Sequence, residues 1–255
     1  MDVLDAANNF VIVTDRDRYI SETSHQSNAF EGDFPRVTMT DSTWSPWVPG
    51  DTLHNGAEAV VTSGYWLGDS AVLKKRVTRG YRHPKLDESL TRQRIFAEAR
   101  ILSRLNRVGV QSPLLLAMDP YEGWLMMSMI EGPSLSTALN DGVSDQAEFM
   151  LGAALRQLHS LGISHGDVTT LNAILTEQGV TLVDFGLGRL VAEIEHQGLD
   201  LHSIYECLSA HHSDRPDAMD RVLEGYRDKT IIDNYDPSDV VLRFEEIKGR
   251  VRYHA

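Results

Sequence analysis

Asp167 and Asn172 stand five positions apart in His165-Gly166-Asp167-Val168-Thr169-Thr170-Leu171-Asn172, and Asp184-Phe185-Gly186 follows shortly after. Three oxygen-bearing side chains at this spacing suit phosphoryl transfer. That reaction passes through a loose transition state, so a protein catalyses it mainly by positioning groups and neutralising charge. It requires a carboxylate facing the acceptor hydroxyl, and a carboxamide and a second carboxylate to hold the metal ions that bridge the phosphates. Asp167 is the expected base, and Asn172 and Asp184 are the expected Mg²⁺ ligands. Asp-Phe-Gly alone is a weak motif, but behind this loop it is a specific one.

Two further residues complete the expected ATP chemistry. Lys74 ends the apolar run Ala71-Val72-Leu73, as a lysine holding the α- and β-phosphates must. Its neighbour Lys75 points to the other face of a strand. Glu98, on the helix that follows, is the expected ion-pair partner of the lysine. Leu53-His54-Asn55-Gly56-Ala57-Glu58-Ala59 takes the place of the loop that covers the phosphates. Gly56 is its only glycine, where such loops commonly have several to let backbone amides approach. Residues 127–130 are the expected hinge, with Met127 and Ile130 at its ends and backbone groups reading adenine, although apolar side chains there suit a core equally well.

The elements that position these residues divide the chain. Residues 1–50 read as an irregular extension in which only Phe10-Val11-Ile12-Val13 resembles a strand. Residues 51–131 are β-rich from Leu53 onward, with strands at 59–62, 71–73, 113–117 and 124–130 and an amphipathic helix from Leu90 to Leu105 that Gly109 stops. Residues 132–255 carry a buried-looking helix at 149–159, the catalytic loop, a strand pair at 173–175 and 181–183, helices from Leu199 and a polar, charged tail. The expected fold class is therefore α+β, a two-lobed protein-kinase-like fold with a β-rich N-lobe and a minimal, α-rich C-lobe.

The 255 residues carry a net charge of -13, which argues against a protein that coats nucleic acid by bulk electrostatics. A basic stretch from Lys74 to Arg107 offers a local face for an RNA backbone or an acidic partner, or a solvated helix face. Cys207 is the sole cysteine, so an internal disulfide and a cysteine-based metal cluster are excluded, and a reducing intracellular compartment is expected. No apolar run is long enough to span a bilayer, and a secretory signal is not expected.

From about Asp51 to the C-terminus the chain resembles the PRPK-like atypical kinases, the kinase/ATPase subunit of the KEOPS (EKC) complex. The likeness rests on Lys74-Lys75-Arg76, Tyr81-Arg82-His83-Pro84-Lys85-Leu86-Asp87, Leu90-Thr91-Arg92-Gln93-Arg94, Ala97-Glu98-Ala99-Arg100 and Asn55-Gly56-Ala57-Glu58-Ala59. The catalytic loop, Asp184-Phe185-Gly186-Leu187, Leu199-Asp200-Leu201 and residues 222–227 share it. This resemblance implies a Mg²⁺- and ATP-dependent serine/threonine kinase and ATPase that supports threonylcarbamoyladenosine modification of tRNA. It implies as partners the threonylcarbamoyl transferase subunit, docked near the cleft and C-lobe, and a small subunit on the N-lobe. Contact with tRNA would come through the complex, in cytoplasm or nucleus and without a membrane.

The compact C-lobe agrees, since no Ala-Pro-Glu follows Asp184. Gly166 replaces the arginine that in most signalling kinases clasps a phosphorylated loop, so switching by loop phosphorylation is not expected. The C-terminus is less basic than the family's usual tail, and the N-terminal extension has no counterpart in it. Two rival readings are a small-molecule phosphotransferase of the aminoglycoside-kinase type and a non-catalytic scaffold of kinase fold.

Overall fold

The computed structural model describes residues 11–12, 46–56, 58–77, 83–143, 146–228 and 235–251. Most of the expected N-terminal extension lies outside them. The chain divides into two compact units: residues 1–92 with 116–128, and residues 93–115 with 129–255.

The first unit is built on a six-stranded sheet. In chain order its strands are β1 (Val11–Ile12), β2 (Trp47–Asn55), β3 (Ala59–Trp66), β4 (Asp69–Arg76), β5 (Leu115–Asp119) and β6 (Trp124–Ser128). They lie side by side as β1-β5-β6-β4-β3-β2. The short run expected at 10–13 is β1, which pairs parallel to β5 through Val11 and Ile12. Strand β2 begins at Trp47, earlier than the β-rich segment expected from Leu53. Residues 47–50 read in sequence as the end of the irregular extension, but β2 is an edge strand, where Pro49, a residue without an N–H, is tolerated. Its register shifts between Pro49 and Thr52 and again before His54 absorb the irregularity. Leu67 (φ 54°) and Gly68 (φ 99°) join β3 to β4, the two left-handed residues of a tight hairpin turn. Ala71, Ala117 and Met126 form the buried centre of this unit, with Trp47, Trp66 and Trp124 against them.

Helix α1 (Pro84–Arg107) is longer than the expected 90–105. Pro84 opens it, as suits a residue whose missing N–H would be unbonded there anyway, and the carbonyl of His83 receives the amides of Leu86 and Asp87. Its end follows the sequence reading. Gly109 has φ 73°, its N–H donates to the Asn106 carbonyl at 3.2 Å, and Val110 N–H donates to Leu105 at 3.0 Å. These are the paired bonds of a Schellman cap.

The second unit continues with α2 (Leu135–Asn140), α3 (Gln146–Ser160), β7 (Ala173–Thr176), β8 (Gly179–Leu182), α4 (Ile194–His211), α5 (Ala218–Tyr226) and α6 (Ser238–Val251). Short α2 was not legible as a helix. It is fixed by Ser134, whose Oγ accepts the Thr137 N–H at 3.1 Å. Helices α3 and α5 meet backbone to backbone. A Cβ on Gly152 would lie 1.9 Å from the Val222 carbonyl oxygen, and one on Gly225 would lie 1.9 Å from that of Phe149. Two glycines thus permit an approach that any side chain would block. Beside them Glu148, fully buried, accepts from Arg215 Nε at 2.7 Å and Arg221 Nη2 at 3.4 Å.

The stretch 245–251, expected as a charged tail, is the end of α6. Val240, Val241, Phe244 and Ile247 are buried along it at helical spacing, so an apolar stripe outweighs the surface charges. Residues 252–255 lie outside the described residues. Among the described residues no helix is long and apolar enough to cross a membrane.

Candidate active site

In the first unit, Lys74 and Lys75 part company as strand alternation requires: Lys74 is 4% exposed, whereas Lys75 is exposed. Lys74 stands in register with Val61 on one side and Leu125 on the other. Gly56 closes the turn after β2, its N–H donating to the Ala59 carbonyl at 3.0 Å. Met127 is buried on β6.

In the second unit, Glu98 is buried on α1, and Ile130 is half-buried just beyond the end of β6 rather than within the strand. The loop residues converge. Asn172 Nδ2 donates to the Asp167 carbonyl at 3.0 Å and to its Oδ2 at 3.3 Å. Val183, immediately before Asp184, is held by both of its backbone polar groups. Its N–H donates to the Asn172 carbonyl at 2.9 Å, and its carbonyl accepts from His165 Nε2 at 3.0 Å. Since the Asp167 N–H donates to His165 Nδ1 at 3.3 Å, the ring proton belongs on Nε2. One imidazole therefore braces both the Asp167 turn and the strand that delivers Asp184.

Asp184 has φ 66°, a left-handed conformation uncommon for a residue with a Cβ. Gly186 N–H donates to its Oδ1 at 3.3 Å. Buried Phe185 lies against His165, ring centroids 4.9 Å apart. Gly166 is explained by the same geometry. It has φ 82°, and a Cβ there would sit 2.3 Å from the Leu187 carbonyl oxygen, so arginine at this position is incompatible with the loop.

The comparisons with known proteins fit this geometry. A family model described as the lipopolysaccharide kinase (Kdo/WaaP) family matches residues 52–226, well over half of the chain. The chain belongs to the lipopolysaccharide kinase (Kdo/WaaP) family. This Kdo/WaaP-family chain is 36% identical over 225 residues to the probable bifunctional tRNA threonylcarbamoyladenosine biosynthesis protein of Methanothermobacter thermautotrophicus, a match covering 84% of the chain and 40% of that protein. The protein of the same name from Methanosarcina mazei is 36% identical over 206 residues, covering 80% and 36%. The chain spans about two fifths of the length of these relatives. Among solved structures it resembles the Rio2 kinase of Chaetomium thermophilum, crystallised as an ADP/Mg²⁺-phosphoaspartate complex. The TM-score is 0.51 at 15% identity, over 79% of this chain and 71% of that one. The fold is thus protein-kinase-like, α+β.

The loop of this Kdo/WaaP-family chain has an anchor that the sequence reading did not single out as functional. Asp200, on α4 and 1% exposed, accepts the His165 N–H on Oδ2 at 2.6 Å and the Gly166 N–H on Oδ1 at 2.8 Å. Its Oδ2 also meets His159 Nε2 at 3.1 Å. The signal was present: Gln197, Asp200, Leu201, Ile204 and Leu208 share the buried stripe of α4, and a carboxylate on such a stripe needs buried donors. Thr170 is held from below by His212 Nε2 at 3.1 Å. Burial pushes the His212 ring below its ordinary value, so the contact is made by an uncharged imidazole.

Proposed function

We propose that the chain is a Mg²⁺- and ATP-dependent kinase and ATPase, with serine/threonine hydroxyls as protein acceptors, acting in threonylcarbamoyladenosine modification of tRNA. The observation that carries this reading is the bonded Asp167–Asn172 pair tied through Val183 to Asp184. Residues with no catalytic task have no physical need of that arrangement, which is why a scaffold role is the weaker reading.

The donor set suits Mg²⁺, a hard cation that takes one or two carboxylates and shares substrate phosphates. Asn172 Nδ2 faces Asp167, so its Oδ1 is the atom left to join the Asp184 carboxylate as ligand. The ion, when bound, would neutralise charge on the phosphates. Asp167, exposed at the loop surface, orients the attacking hydroxyl and takes its proton. Asn172 holds the Asp167 carboxylate at a fixed angle through its amide. On residue type and burial, Lys74 is the phosphate-holding cation and Glu98 its counter-charge. Gly56 covers the phosphates, and Met127 and Ile130 bound the adenine hinge.

The names of the relatives support the tRNA setting, in which the partners would be the threonylcarbamoyl transferase subunit and a small subunit of the KEOPS type, with tRNA reached through the complex. The location would be cytoplasmic or nuclear. The acceptor class is tested by incubating the chain with Mg-ATP labelled on the γ-phosphate, plus the transferase subunit, a lipopolysaccharide core sugar or an aminoglycoside. Label released as inorganic phosphate or found on serine or threonine is expected. Label on a sugar hydroxyl alone would overturn the assignment in favour of a small-molecule phosphotransferase.

A further inference from the structure

Behind Asp200 runs a buried polar chain whose proton count does not close with an Asp200 carboxylate and a neutral imidazole. It has four links. Asp200 Oδ2 meets His159 Nε2 at 3.1 Å, and His159 Nδ1 meets the Tyr226 hydroxyl at 2.7 Å. The Tyr226 and Tyr235 hydroxyls lie 2.7 Å apart, and the Tyr235 hydroxyl donates to Gln197 Oε1 at 2.9 Å. Gln197 cannot be turned over, because its Nε2 donates to the His159 carbonyl at 2.9 Å. The chain therefore begins and ends on acceptors.

Each link needs one proton, four in all. A neutral imidazole supplies one and each phenol one, which makes three. Burial pushes Tyr226 far above its ordinary range, so its hydroxyl keeps the one proton counted for it. The backbone N–H groups of His165 and Gly166 donate one to each Asp200 oxygen at 2.6 and 2.8 Å, the pattern of a carboxylate acceptor, so Asp200 is an acceptor end and not the source of the fourth proton. Tyr226, His159 and Gln197 are all buried, so an unfilled link would leave two lone pairs facing each other away from water.

We infer that His159 carries a proton on both ring nitrogens, and that Tyr226, Tyr235 and Gln197 are positioning residues that hold it so. The imidazolium keeps Asp200 a carboxylate with both oxygens directed at the His165 and Gly166 amides, and so sets the turn that presents Asp167. The functional part of this inference rests on the kinase/ATPase reading; the proton count does not.

The test uses the full chain near neutral pH. Long-range proton–nitrogen NMR reports whether each His159 ring nitrogen bears hydrogen. Two N–H nitrogens are expected in the wild type. Tyr226→Phe leaves two links with two protons, and Tyr235→Phe likewise balances the count, so each variant should show one bare ring nitrogen. In the same variants kcat for Mg-ATP should fall about tenfold, the loss of one good hydrogen bond, with KM for ATP unchanged. Tyr235 is only half-buried, so Tyr235→Phe serves should Tyr226→Phe fail to fold. A bare nitrogen on wild-type His159 overturns the inference, and an unchanged kcat in Tyr235→Phe overturns the positioning role. A wild-type chain with no ATP turnover would instead sink the proposed activity while the ring spectrum still decides the proton count.

Discussion

Asp167→Asn should lower Mg-ATP turnover by about 10²–10⁴-fold, the range for removing a positioned base, and leave the fold intact. Asp167 is exposed. Its backbone N–H, bonded to His165 Nδ1 at 3.3 Å, and its carbonyl, bonded to Asn172 Nδ2 at 3.0 Å, survive the substitution. Only Oδ2, which receives Asn172 Nδ2 at 3.3 Å, changes its character. An amide there can no longer take a proton from a hydroxyl, and its own NH₂ competes with that of Asn172. Steady-state ADP release, with a urea melt on the same preparation, checks both halves. Near-normal turnover in a folded variant would remove Asp167 from the role of base.

Asp200→Ala should be more damaging to the fold than any exposed change at the site, with a loss of about 3–5 kcal/mol, as expected when one partner of a buried charged group is deleted. The carboxylate is 1% exposed, and three N–H groups converge on it, those of His165, Gly166 and His159. Alanine leaves all three facing a cavity. The effect does not stop at stability. The two amides belong to the residues directly before Asp167, so ATP turnover should fall even at temperatures where the variant stays folded. Denaturation in urea gives the first quantity and turnover well below the melting temperature the second. A loss under about 1 kcal/mol, the size of an ordinary hydrogen bond, would contradict the anchoring role.

These two residues also mark the limit of what the sequence discloses. The grouping of Asp167, Asn172 and Asp184 is legible because their spacing is short and a local loop brings them together. The exposure difference between Lys74 and Lys75 is legible because strand alternation has a period of two. Asp200 is harder, because its donors are backbone amides thirty-five and thirty-four residues away, and a backbone amide leaves no mark in a sequence. The ring through His159, Tyr226, Tyr235 and Gln197 joins α3, α4, α5 and the segment before α6, and only tertiary packing brings these together. Gly166 stood out in sequence as a missing arginine, yet its physical reason, a left-handed φ beneath the Leu187 carbonyl, is visible only in the folded loop. Strand β2 and the end of α6 were misjudged for a shared cause. Local composition, that of an irregular extension in one and clustered charge in the other, was outweighed by edge pairing and by a buried stripe.

The central claim is that Asp184 and its bonded neighbours turn over Mg-ATP. The measurement that tests it most directly is ADP release from Mg-ATP by the purified chain, alone and with the transferase subunit added, beside Asp184→Ala. Turnover that disappears in Asp184→Ala and changes on adding the partner is the predicted result. A folded wild-type chain that joins the partner yet releases no ADP in either condition, or a variant as active as the wild type, would contradict it.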